Sequence, residues 1–186
     1  METRKKIIIH SLQFFQVQGI KDVAMSDISK TLGMSKKTLY VHFANKKDLV
    51  NQTITYLFDL HFSTIEAILE QEISIEKKIR KIYEYAINYI IGISPRFIID
   101  LKKYYTSSFK DYDSFRRKII FEIITTLLVE GQLNGEINEA INIELFCQYH
   151  LLNLDEVLIA NSQLNEFSEE ELLDNTIGIS LKGILK

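Results

Sequence analysis

Within Ser35-Lys36-Lys37-Thr38-Leu39-Tyr40-Val41-His42-Phe43 the chain sets two cations, hydroxyls, a phenol and an imidazole around two apolar residues spaced four apart, Leu39 and Phe43. A helix on that spacing buries Leu39 and Phe43 and turns Lys36, Lys37, Tyr40 and His42 outward. The chemistry such a face performs is polyanion binding, because ammonium groups and the Thr38 hydroxyl sit at a helix start whose unpaired N–H groups already favour phosphate. Lys46 adds a phosphate clamp in the first turn of a further helix, which Asn45 caps with Asp48 at the capping-box position. Other chemistries lack their residues. His10, His42, His61 and His150 are scattered, with no H-E-x-x-H pair, glycine-rich phosphate loop or nucleophile elbow. Cys147 lies three residues from His150 in apolar surroundings, the setting of an inert buried thiol. Catalysis, a metal and a cofactor are all unexpected.

The elements that must hold the cationic face are read from its neighbours. Ile28 and Leu32, four apart, make a short helix; Gly33 supplies a permissive backbone for a tight turn; Ser35 caps the next helix. That is a helix-turn-helix, a unit whose first helix braces on the DNA backbone while the start of the second enters the major groove. The charge distribution agrees. Residues 1 to 50 carry nine Lys or Arg against four acids, a net +5, whereas residues 51 to 186 carry thirteen against twenty-one, a net −8. An anionic partner is therefore expected for the first segment alone.

Composition bounds the rest. With 186 residues, 46% apolar and 25% charged, a single Pro and one Cys, the chain reads as globular and free of an internal disulfide. No run of ~18 apolar residues and no secretory leader is present, so a cytoplasmic location without membrane contact is expected. Its 29 Ile would fit strands, but Ile75, Ile79, Ile82, Ala86, Tyr89 and Ile93, and again Ile120, Ile123, Ile124, Leu127 and Leu128, fall at steps of three and four. The spacing predicts an all-α chain of about nine helices, roughly at 3–18, 25–32, 36–43, 46–71, 74–92, 95–106, 111–131, 141–161 and 168–185. A helix-turn-helix domain over residues 1–47 is followed by a helical domain over 48–186, joined rigidly by the helix from 46 to 71.

Gly19, Asp27-Ile28, Gly33-Met34-Ser35, Thr38-Leu39-Tyr40-Val41-His42-Phe43 and Lys46-Lys47-Asp48-Leu49 together resemble the DNA-binding domain of TetR-type transcriptional regulators, over about a quarter of the chain. The resemblance implies an all-helical homodimer that binds operator DNA through two such units and releases it when a small molecule enters the C-terminal domain. It gives Tyr40 a phosphate contact and marks Ser26, Lys36, Lys37, Thr38, Tyr40, His42 and Lys46 as the DNA-binding set. Two positions depart from the family pattern. Val23-Ala24 stands where members commonly place Thr or Ser, a lost cap that costs ~1 kcal/mol and that Ser26 is expected to replace in part. Lys37 stands where many carry Gly, so the operator sequence is this chain's own.

Ten of the twenty aromatic residues fall between Tyr83 and Phe121. Such a density either packs a bundle or lines an apolar cavity, and the resemblance implies a cavity for a small-molecule effector among the helices from 46 to 161. Tyr89, Phe97, Tyr105, Tyr149 and Asn153 are its expected lining. The resemblance also implies a homodimer through the last two helices. Leu145, Tyr149, Leu152 and Ile159 offer one apolar face, and Leu172, Leu173, Ile177, Leu181 and Ile184, with Gly178 and Gly183 for close approach, offer another. The function expected is a ligand-responsive transcriptional regulator, a repressor released from a palindromic operator. The alternative is a helical module, binding a small molecule or a protein, that no longer reads DNA.

Overall fold

The computed structural model describes residues 2–152 and 166–186, and among these the chain is helical, with one isolated bridge between Ile137 and Leu185. It divides into two compact units, Met1–Ser63 with Ile93–Asp113, and Thr64–Gly92 with Ser114–Lys186.

The first unit begins with α1 (Glu2–Gln18), which buries Ile7, Ile8, Ser11, Leu12 and Phe15, a one-sided stripe at helical spacing. Gly19 stops it. Its φ of +87° is open to glycine at little cost, and a Cβ there would lie 2.9 Å from the Arg96 Cβ and 3.0 Å from an Asp100 carboxylate oxygen. α2 (Met25–Thr31) and α3 (Lys36–His42) follow as expected, with the turn between them closed at Gly33 (φ +63°) by the Met34 N–H donating to the Ser29 carbonyl at 2.9 Å. α4 (Lys46–Leu69) starts on Leu49, Val50, Ile54 and Leu57, all buried. α6 (Pro95–Tyr104) belongs to the same unit and packs against α1, with Phe97 and Leu101 fully buried. Its start is defined by Pro95 in the first turn and by the Ser94 hydroxyl, which accepts from the Arg96 N–H. α7 (Thr106–Lys118) begins at Thr106 rather than near residue 111. Tyr105 alone separates it from α6, and the Tyr105 carbonyl already accepts the Phe109 N–H at 2.9 Å, so the helix restarts without a loop.

In the second unit α5 (Ile75–Ile91) is capped by Ser74 and buries Ile75, Ile79, Ile82, Tyr83, Ile87 and Ile90. The buried stripe thus runs on through Tyr83 and Ile87, while Ala86 and Tyr89 are half-buried at its edge. A π-helical turn, Ile119–Ile124, leads directly into α8 (Thr125–Leu133), and its wide spacing sends Ile119, Ile120 and Ile124 into the core and leaves Ile123 half-buried. Residues 143–152 form α9 as far as the described chain extends. α10 (Glu169–Leu173), a second π-helical turn (Asp174–Gly178) and α11 (Ile179–Ile184) close the unit. Here the assignment of five apolar residues to an interface is corrected. Leu172, Leu173, Ile177, Leu181 and Ile184 are buried in this unit's own core, beside Ile79, Ile82 and Ile137. Gly178 makes room for the Arg80–Asp174 ion pair (2.7 Å) rather than for another helix: a Cβ there would lie 3.1 Å from Asp174 and 3.4 Å from Arg80.

Candidate nucleic-acid interface

α3 is held in place from both ends. At its start the Ser35 hydroxyl accepts the Thr38 N–H at 3.0 Å and lies 2.9 Å from the Thr38 hydroxyl, which occupies one otherwise unpaired donor of the first turn. At its end Leu39 and Phe43 are buried, as are Ile28 of α2 and Leu49 of α4. Fixing those two positions leaves Lys36, Lys37, Thr38 and Tyr40 exposed and His42 half-buried. Val41 is 76% exposed beside Lys37 on the outward face, a β-branched apolar residue that polarity-based reading passes over.

The hydroxyl missing at Ala24 is not replaced by Ser26, and no side chain accepts from the first-turn amides of α2. The Asp27 carboxylate accepts the Ala24 N–H at 2.8 Å, so an acid in the first turn of α2 satisfies the donor and complements the helix dipole. Ser26 is half-buried, and its carbonyl accepts from the Ser29 hydroxyl at 3.0 Å. Asn45 caps α4 as expected, its side chain accepting the Asp48 N–H at 2.9 Å, but the Asp48 carboxylate reaches one residue further back, to the Ala44 N–H at 3.0 Å. The same carboxylate accepts from Gln52 at 2.6 Å, and Gln52 in turn accepts from Arg4, whose guanidinium lies 5.5 Å over the Phe43 ring. Arg4 therefore ties α1 to the end of the reading helix and to α4.

Lys46 is engaged within the unit. Its ammonium donates to the Lys21 carbonyl at 3.1 Å, and burial lowers its pKa from the ordinary lysine value against the opposing pull of Asp100, Asp22 and Asp27. The amide of the same Lys21 donates to the buried Asp100 carboxylate at 2.7 Å. Asp100 comes from α6, seventy-nine residues along the chain. No local pattern announces it; the only trace is an acid in an otherwise apolar and basic helix, Pro95-Arg96-Phe97-Ile98-Ile99-Asp100-Leu101-Lys102.

The expected effector residues divide between the units. Phe97 is part of the first unit's core, and Tyr105, at the end of α6, is half-buried there, its hydroxyl pKa raised by burial and by Asp100. Tyr89 is half-buried in the second unit, and Tyr149 is 57% exposed on α9. Asn153 and Ile159 lie outside the described residues. A groove of about 540 Å³ in the second unit is lined by Arg80, Glu84, Ser168, Glu169, Glu170 and Leu173, and none of the expected residues borders it.

Residues 7–53 match the family model of the bacterial regulatory proteins, tetR family. The chain carries a TetR-family DNA-binding domain. The match runs from the first buried residues of α1 to the second turn of α4, the segment whose caps and turns are described above. Beyond this TetR-family domain the chain is similar over most of its length to the HTH-type transcriptional regulator YvaF of Bacillus subtilis (strain 168), 24% identical over 184 residues, which cover 97% of this chain and 94% of that protein. It is 27% identical over 95 residues to IcaR of Staphylococcus aureus (strain Newman), the negative transcriptional regulator of the biofilm operon icaADBC, across 51% of this chain and 50% of that one. The fold is that of a transcriptional regulator from Saccharomonospora viridis solved in complex with choline, with a TM-score of 0.81 at 16% identity over 100% of this chain and 98% of the other. Among the described residues no helix is long and apolar enough to cross a membrane, and no group of three or more His, Cys, Asp or Glu could hold a metal ion.

Proposed function

We propose that this TetR-family protein is a ligand-responsive repressor: a cytoplasmic homodimer that binds a palindromic operator and leaves it when a small molecule is bound. The observation that carries the reading is the outward face of α3, where Lys36, Lys37, Thr38, Tyr40 and Val41 project from a helix fixed by Ser35, Leu39 and Phe43. Residues 1–47 do the reading, and 48–186 bind the effector and the second copy. In this scheme Lys36, Lys37 and Tyr40 meet phosphates or base edges in the major groove, Thr38 and His42 flank them, and Ser26 meets the backbone from α2. Lys46 reaches a phosphate only by exchanging the Lys21 carbonyl for it.

IcaR, named as a negative regulator, supports repression, and the choline complex of the Saccharomonospora viridis regulator supports a small-molecule site in this fold. A second copy is supported by an apolar row that the unit's own core does not use: Leu145, Tyr149 and Leu152, at i, i+4 and i+7 on α9, are all exposed, as is Ile179 on α11. The last two helices then serve as the dimer surface through these residues. Effector binding shifts the dimer population toward a form whose two α3 helices no longer match major grooves one helical turn apart. The role is regulatory rather than catalytic. The Asp27 carboxylate covers the Ala24 amide, so α2 keeps half of its capping arrangement without a hydroxyl.

A mobility-shift assay on the DNA upstream of the protein's own coding sequence, with scrambled competitor, tests the reading. Specific binding that a metabolite extract weakens supports it. Binding no stronger than to scrambled DNA, on that fragment and on a pool of random sequences alike, contradicts it.

A further inference from the structure

Two buried polar atoms in the core of the second unit have no hydrogen-bond partner. The Tyr83 hydroxyl on α5 and the His150 Nε2 on α9 are each without a hydrogen-bond partner, in side chains only 2% and 1% exposed. Their rings meet edge to face with centroids 5.4 Å apart, and the Phe146 ring lies 4.2 Å from the imidazole. Native cores hold few such atoms, because each forfeits its hydration without return; two on rings in edge-to-face contact point to an occupant that satisfies both.

The neighbourhood carries a second mark. The π-helical turn Ile119–Ile124 packs into the same core, and Thr125, directly after it, lies 3.4 Å by its hydroxyl from the Cys147 thiol, one helical turn before His150. π-Turns are costly insertions that recur where helices shape binding sites. The described core of this unit, which includes Ile79, Ile82, Ile87, Ile120 and Ile124, is apolar. Burial holds the imidazole neutral, its pKa pushed down to about 4, and raises that of the Tyr83 phenol, so neither group offers a counter-charge to an ion.

We propose that Tyr83 and His150 form the polar end of the effector site, and that they take a neutral, largely apolar molecule through a single carbonyl or hydroxyl oxygen. A carbonyl accepts from the phenol and from Nε2–H; a hydroxyl accepts from the phenol and donates to the other imidazole tautomer. The inference rests on the effector-responsive reading above and assigns that site its chemistry.

The test uses the full chain and three matched probes: acetophenone, ethylbenzene, which lacks the oxygen, and benzoate, which carries a charge. Binding is followed by calorimetry and by the imidazole 15N shifts of His150, and operator binding by fluorescence anisotropy in the same samples. Acetophenone is expected to bind at least about tenfold more tightly than ethylbenzene and to move the His150 Nε2 resonance, with benzoate the weakest of the three. Tyr83→Phe removes only the unpaired oxygen, so the variant folds with a raised melting temperature, keeps ethylbenzene binding and loses most of the preference for acetophenone. Equal binding of the first two probes, an unmoved His150 resonance, tighter binding of benzoate, no binding of any probe, or a Tyr83→Phe variant that is less stable or retains the preference each overturns the proposal. Failure of the repressor reading looks different: the probes bind at His150 while the operator is not bound, or is bound and not released.

Discussion

Removing the Asp100 carboxylate is expected to loosen the base of the DNA-binding domain without touching a residue that faces DNA. The carboxylate is buried and accepts the Lys21 amide at 2.7 Å in the turn between α1 and α2. Asp100→Ala leaves that amide without its acceptor and removes the negative charge closest in effect to Lys46, whose ammonium holds the Lys21 carbonyl. A hydrogen bond to a charged group contributes about 1.5–3 kcal/mol, and leaving its part-buried donor without an acceptor adds to the loss, so Asp100→Ala should destabilise the chain by about 2–4 kcal/mol. Asp100→Asn keeps an acceptor without the charge; since neutral hydrogen bonds are roughly half as strong as charge-assisted ones, it should cost about half as much. Urea titrations at one fixed protein concentration give both numbers as shifts in midpoint at unchanged slope. Operator affinity, measured where both variants are still folded, should fall in the same order, Ala more than Asn. An Asp100→Ala variant within about 0.5 kcal/mol of the parent, the scatter of ordinary surface substitutions, would refute the reasoning.

Acid should weaken the fold before its carboxylates titrate. Burial holds His61 and His150 neutral, each with a pKa lowered from 6.5 to about 4, so between those values the unfolded chain binds more protons than the native one. Stability is then full above pH 6.5 and declines toward pH 4, by up to about 2.7 kcal/mol per pH unit for two protons; a urea midpoint that stays flat from pH 7 to 5 contradicts this. Ser35→Ala removes the acceptor for the Thr38 amide and should cost ~1 kcal/mol of stability together with operator affinity, and an unchanged melting temperature would show that the cap contributes nothing. Leu145→Glu with Leu152→Glu places charge on the exposed row of α9 and should convert the dimer to a monomer of unchanged helix content, read by light scattering and circular dichroism. A dimer that survives the pair lies on another surface.

What could be read from the sequence was local. Ile28 with Leu32, Gly33, Ser35 and Leu39 with Phe43 act within a few residues of one another, so their spacing carries the turn, the cap and the buried face of the reading helix, and the structure agrees with each. Asn45 was legible for the same reason. The Asp27 carboxylate on the Ala24 amide was legible in principle, as an acid three residues after the helix boundary, and was passed over because a hydroxyl was sought. What was hidden depends on partners far along the chain. Phe97 reads as one more aromatic in a dense run, yet α6 packs on α1 and makes it core, and Asp100 gains its meaning only through Lys21. The leucines of α10 and α11 show the right period for an interface or a core. Period does not name the partner: α5 packs on α10, and the leucines of α10 and α11 join the unit's own core. Tyr83 and His150 escaped notice because burial without a partner is a property of three-dimensional surroundings.

If α3 meets DNA with Lys36 and Lys37, the salt dependence of operator affinity carries their signature. Each phosphate contact contributes about 0.9 to the slope of log affinity against log salt, so in a dimer Lys36→Ala with Lys37→Ala removes four contacts and should flatten that slope by roughly 3 to 4. A double variant that binds the operator with the parent's affinity and the parent's slope would contradict the account.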